Sequence, residues 1–186
     1  MSAKRKGHDL DMPPPTRARV EGGGVAAEGE AGLEGPMMVK KLLAGLKHKI
    51  TVNIEKRDLH ADEALRFVDS EVDLDEELQE FRVLATMPGD FDTAVRLGTS
   101  ATLMQLLIHD NLDIVGSVVK VLQELTDPAL VEEEPDCIVL ARDLVKQGVI
   151  PNILRVLQRL EDTAAISPDD SDDQEDSGLA CLGIIE

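Results

Sequence analysis

Tryptophan and tyrosine are absent from this chain, and only three phenylalanines occur among its 186 residues. A core without large rings has to be filled by leucine, valine, isoleucine and methionine. That suits thin layers of amphipathic helices better than a sheet. Cysteine is nearly missing too: Cys137 and Cys181 are the only two, so no disulfide framework is indicated, which fits a reducing compartment. No run of about 18 apolar residues is present, so no membrane span is expected, and the first residues contain no secretory apolar segment. Cations are in deficit, with 19 Lys and Arg against 37 Asp and Glu and a formal net charge of −18. That excess repels phosphate backbones. Direct nucleic-acid binding by the folded part is therefore not expected, and a basic partner is favoured.

Catalytic patterns are lacking as well. The four histidines are His8, His48, His60 and His109, and neither they nor the cysteines form H-x-x-x-H or C-x-x-C. No phosphate-binding glycine motif occurs, and Gly22-Gly23-Gly24 leads into no strand. Cys137 has no neighbouring charge placed to activate it, which predicts a buried inert thiol. His109-Asp110 falls in a turn, where an aspartate more often caps the next helix than activates a histidine. No catalytic residue, cofactor or metal ligand is assigned, and no enzyme is expected.

What is present is dense helical patterning from Ser70 to Thr126. Ser70 and Asp73 are N-cap candidates for a helix carrying Leu74, Leu78, Phe81, Val83, Leu84 and Met87, which Pro88 stops. A short helix from about Phe91 to Leu97 ends at Gly98. A second holds Leu103, Leu106, Leu107 and Ile108. A third buries Val115, Val118, Val119, Leu122 and Leu125 at spacings of three and four, and Asp127-Pro128 closes it. Short, short and long helices in this order follow the plan of an armadillo repeat, which needs stacked neighbours. A second copy lies fifty residues on. Gly98 precedes Leu103-Met104 and Leu106-Leu107 as Gly148 precedes Ile153-Leu154 and Val156-Leu157. Two unrelated amphipathic helix pairs in a plain bundle would give the same periodicity.

Residues 1–36 are rich in Gly, Pro, Glu and Ala without periodicity, and predict a disordered tail. Within it Lys4, Arg5 and Lys6, followed by Arg17 and Arg19, form either a candidate bipartite nuclear localisation signal or an ordinary basic terminus. Capping helices are expected over 37–69. The first, about Met37 to Glu55, has Val39, Leu42, Leu43, Leu46 and Ile50 on one face and lysines on the rest. It reads as a cap over the first repeat rather than a membrane-surface helix. A short helix near Asp62 to Val68 is expected to turn Leu65 and Phe67 inward. Armadillo-like repeats then fill 70–186.

After Asp127-Pro128, Glu132-Glu133-Glu134-Pro135 predicts a polar loop or a first helical turn. Helices to Gln147 and from Pro151 to about Glu161 follow. From Glu161 to Asp176 there are eight acidic residues and no basic one, which predicts a solvated acidic loop over 161–177 that interrupts the second repeat. Ser167, followed by a proline and then acids, is a phosphorylation candidate in a segment that otherwise serves as a soluble spacer.

The run LDEELQEFRVLATMPGDF, the turn LLIHDNLDI and the segment VVKVLQELTD resemble the N-terminal region of the beta-catenin-like protein 1 family, nuclear armadillo-type proteins associated with the spliceosome. The resemblance is best between about Phe67 and Asp127. It continues weakly over Gly148 to Leu160 and Leu179 to Glu186. It implies an all-α armadillo-type helical solenoid with N-terminal cap helices and about two repeats, the last incomplete. It further implies a nuclear, non-catalytic scaffold of the spliceosome-associated nineteen complex, whose partners are splicing-complex proteins with basic segments. The alternative is a nuclear import carrier or adaptor that binds basic localisation-signal peptides. Importin-type armadillo proteins clamp such peptides with Trp and Asn on third helices, and the helix Asp113 to Thr126 contains neither. Family members continue with further repeats, from which much of the binding surface is expected. The apolar run Leu179 to Glu186 would begin a third helix there. Uncovered here, it is expected to drive self-association.

Overall fold

Gly98 and Gly148 share a φ of +84°, and they alone among the described residues have positive φ. Each lets a first helix end and a second begin at a sharp angle that an L-side chain would resist. The same hydrogen bonds surround both. Gly98 N–H donates to Val95 O at 3.0 Å, and Gly148 N–H to Val145 O at 3.1 Å. Four residues on, Thr102 Oγ1 donates to Gly98 O at 3.0 Å, and Asn152 Nδ2 to Gly148 O at 3.1 Å. Two unlike side chains reproduce one turn, fifty residues apart.

The computed structural model describes residues 27–164 and 171–185, which form helices and no strand. Its α-helices are α1 (Ala27–Leu59), α2 (Val68–Phe81), α3 (Phe91–Arg96), α4 (Thr99–Leu106), α5 (Leu112–Leu125), α6 (Pro128–Glu133), α7 (Ile138–Lys146), α8 (Val149–Ala164) and α9 (Ser171–Ile185). The sets α3–α4–α5 and α7–α8–α9 are two armadillo-type units. They stack α7 on α3 and α4, and α9 on α5. On the other side α2 packs on α5, and α1 covers α2 and α3. Helix α2 and the third helices of the two units therefore lie side by side in the order α2, α5, α9.

Packing follows the helical phase. Val39, Leu42, Leu43, Leu46 and Ile50 of α1 are buried, as are Leu74, Leu78 and Phe81 of α2. In α5 Val115, Val118, Val119, Leu122 and Leu125 are buried, and in the second unit Ile153 and Val156 repeat the burial of Leu103 and Leu106. Leu157 is partly buried against the same core. Phe81 and Phe91 are among the largest fully buried side chains, so the core is aliphatic around two rings.

Several expectations are corrected. The helix expected from Met37 begins at Ala27, so Ala27–Pro36, expected to be disordered, is helical. Gly29, Gly32, Gly35 and Pro36 are poor helix formers, so propensity does not account for it. Extending a helix already held by packing from Val39 onward costs far less than nucleating one. Helix α2 ends at Phe81, and a 3₁₀ stretch, Arg82–Thr86, carries the chain to Pro88. Ser70 is no N-cap. It lies inside α2, is buried, and its hydroxyl donates to Phe67 O at 2.6 Å. Leu65 sits on a 3₁₀ turn and is 89% exposed, pointing outward. Glu132 and Glu133 end a separate short helix, α6, which is capped by Asp127, whose side chain accepts from Ala129 N–H at 2.9 Å. Of the acidic loop expected over 161–177, residues 161–164 belong to α8 and 171–177 to α9, and those between lie outside the described residues. Acidic residues at a helix N-terminus meet the positive end of its dipole, so the run that looked like a spacer can begin a helix.

The terminal apolar run is not left uncovered. Helix α9 packs on α5 and α8, burying Ser177, Ala180 and Cys181, while Leu179 and Leu182 face outward.

Candidate interaction surface

Lys4, Arg5, Lys6, Arg17, Arg19 and Ser167 lie outside the described residues. The surface built by the described ones is the face of α2, α5 and α9. Helix α5 presents Asp113, Ser117, Lys120 and Glu124 along one stripe, the i, i+4, i+7, i+11 spacing of a single helix face. Neighbouring helices meet this stripe with polar groups. The Ser117 hydroxyl donates to Asp75 of α2, and Arg82 forks onto both Glu124 carboxylate oxygens, with Nε at 2.9 and 3.0 Å. On the other side Lys120 pairs with Asp176 of α9 at 2.9 Å. Both cations named here are thus held by a carboxylate across a helix boundary. Glu76, Glu80 and Asp113 have no cation partner among the described residues. Taken with Asp75 and Asp176 from its neighbours, the stripe has more carboxylates than cations, and the cross-helix bonds hold its geometry.

A second polar feature sits where α1, α2 and the α4–α5 turn converge. Arg57 lies over the Phe67 ring at 4.9 Å, pairs with Glu71, and reaches Asp110 Oδ2 at 2.6 Å. The other Glu71 oxygen accepts from Asn111 Nδ2 at 2.9 Å. Asn111 Oδ1 in turn accepts from Asp113 N–H at 2.8 Å, so Asn111 is the N-cap of α5, rather than Asp110. Asn111 N–H donates to His109 Nδ1 at 3.0 Å, which assigns the proton to Nε2, and Nε2–H donates to Asn53 Oδ1 at 3.1 Å. Asn53 Nδ2 donates to Ser70 Oγ at 3.1 Å. From α8, Arg159 donates to Asp110 O at 3.0 Å. Burial, and then the charge of Arg57, push His109 below the ordinary histidine range. The cluster ties four helices together, and its donors and acceptors already serve one another.

The thiols carry no reactive arrangement. Burial raises Cys137, helped by Glu134, and burial alone pushes Cys181 up to about 11, so neither forms thiolate readily. Among the described residues no group of three or more His, Cys, Asp or Glu could hold a metal ion.

Residues 27–186 match the family model described as "Catenin-beta-like, Arm-motif containing nuclear". The chain belongs to this family. Beta-catenin-like protein 1 from Homo sapiens is 37% identical over 126 residues, covering 67% of this chain and 22% of that protein, and the Bos taurus protein matches to the same extent. The Beta-catenin-like protein 1 homolog of Schizosaccharomyces pombe is 29% identical over 148 residues, 79% of this chain and 24% of its own length. The chain thus spans about a quarter of the length of these relatives.

In this catenin-beta-like chain α2, α5 and α9 form one face. The polar cluster is what sequence reasoning missed. One signal was available: Asn53 continues the buried stripe of Leu46 and Ile50, and Ser70 precedes Leu74 by one turn. A polar residue in the phase of a buried stripe needs a partner, but the sequence does not say that His109 supplies one to Asn53 from 56 residues away, or that Asn53 in turn supplies one to Ser70.

Proposed function

We propose that this chain is a non-catalytic nuclear scaffold that binds basic segments of splicing-complex proteins through the face of α2, α5 and α9. The acidic stripe carries the reading. Its cations are neutralised internally, so an incoming Lys- or Arg-rich strand meets unpaired carboxylates at Glu76, Glu80 and Asp113. Ion pairs on such an exposed face contribute little each, so affinity comes from several acting together and falls with salt. The membership in a nuclear Arm-motif family supports the setting. Entry into the nucleus is assigned to Lys4, Arg5, Lys6, Arg17 and Arg19, and Ser167 remains the proposed phosphorylation site.

The test is cross-linking mass spectrometry of the tagged chain in splicing-active nuclear extract. The expected result is cross-links from α2 and α5 to basic segments of spliceosomal proteins, lost in an E76K/E80K/D113K variant that keeps its helicity. Cross-links that persist in the variant would overturn the reading.

A further inference from the structure

Beside the polar cluster lies a cleft of about 250 Å³. It opens between the second half of α1, helix α4 and the turn at Ile108–Asp110. Ile50 and Leu106 close its bottom and are buried. Two isoleucines form its sides and are open to water, Ile54 at 43% and Ile108 at 65% exposure. Asn53, Arg57 and His109 also line it, but each already spends its polar groups on the cluster. A polar ligand would have to break those bonds to enter, and a buried group left unpaired costs more than a new bond returns. The volume falls below the roughly 300–1,000 Å³ of ordinary small-molecule sites and suits one anchoring side chain.

The mouth has a different chemistry. Asp58 stands there without an ion-pair partner among the described residues, and Asp110, 86% exposed at its side chain, uses one carboxylate oxygen on Arg57. We propose that this cleft seats a segment of another protein presenting one large aliphatic side chain beside a lysine or arginine. The aliphatic group packs between Ile54 and Ile108, and the cation meets Asp58 and the free oxygen of Asp110. This site is separate from the face of α2, α5 and α9 and does not depend on its role.

Isoleucine-methyl NMR of the full chain tests it, with the peptide acetyl-Gly-Arg-Leu-Arg-Gly-amide as probe. Saturable shifts are expected at Ile54 and Ile108, with Ile153 unmoved. The Leu→Gly peptide should bind at least tenfold more weakly. Asp58→Asn should weaken binding about threefold. Ile108→Asp should abolish it while leaving the thermal unfolding curve in place, because the side chain faces water. The E76K/E80K/D113K variant should titrate as the parent does. Absence of saturable shifts at Ile54 and Ile108, or equal binding of the glycine peptide, would overturn the proposal, the second by showing that charge attraction alone holds the peptide.

Discussion

His109 couples the α4–α5 turn to proton concentration. In the folded chain its Nδ1 accepts an N–H, and protonating that nitrogen would set two donors against each other. Burial and then the charge of Arg57 favour the neutral ring in the folded state and hold His109 below its ordinary range. Where the folded value is depressed, the unfolded chain binds more protons, so stability rises with pH in that window. The contribution is fully present above about 6.5 and is lost as pH falls through the folded value. Urea unfolding at steps from pH 7.5 to 5 should show this slope, and His109→Gln should flatten it. An unchanged slope would place the titration elsewhere. The two turn glycines make a paired prediction. A Cβ on Gly98 meets no atom within 4 Å, and one on Gly148 meets only Pro151 at an ordinary 3.6 Å. The cost of Ala at either site is then the left-handed backbone alone, about 1–2 kcal/mol and nearly equal for the two. Chemical denaturation of both variants checks the equivalence.

At the scale of elements, α5 is the helix between α2 and α9. It contacts α2 on one side and α9 on the other, and Leu122 is fully buried in it. Leu122→Ala should cost about 2–5 kcal/mol in unfolding free energy. A loss below about half a kcal/mol would mean that the side chain is not held as the helix phase requires. The phase of α5 was legible because apolar residues at three- and four-residue spacing leave one consistent face. The boundaries of α1 and α9 were not, since Ala-Glu-Gly and Ser-Asp-Glu compositions carry no apolar stripe. Those segments are helical as continuations or beginnings of helices that pack further along.

For the whole molecule, α9 decides between two outcomes. It buries Cys181 and Ala180 against its neighbours, so removing Ser177 to Glu186 strips the outer cover from α5. The expected result is lost helicity and earlier thermal melting by circular dichroism, rather than a better-behaved fragment. Self-association now rests on Leu179 and Leu182, the outward pair on α9. With a net charge of −18, light scattering after size exclusion should show a monomer at low ionic strength. A larger species should appear as salt screens the repulsion, and Leu179→Glu should suppress it. A monomer at every salt concentration would end that idea.

Composition and periodicity by themselves determined the all-α class and the apolar phase of α5, because these depend on spacing along one helix; the fifty-residue offset fitted a plain bundle as well, and the matching turns at Gly98 and Gly148 decided for the repeat. The motifs between Phe67 and Asp127 were specific enough to indicate the family. Tertiary structure alone decided which polar residues meet. Asn53, Ser70, Glu71 and His109 come from three separated segments, and their hydrogen bonds exist only once α1, α2 and the α4–α5 turn have docked. The acidic stripe is of the same kind: the pairing of Arg82 with Glu124 and of Lys120 with Asp176 depends on helix stacking. Local sequence reports propensity and phase, whereas a site built across stacked helices depends on distances that the stacking creates.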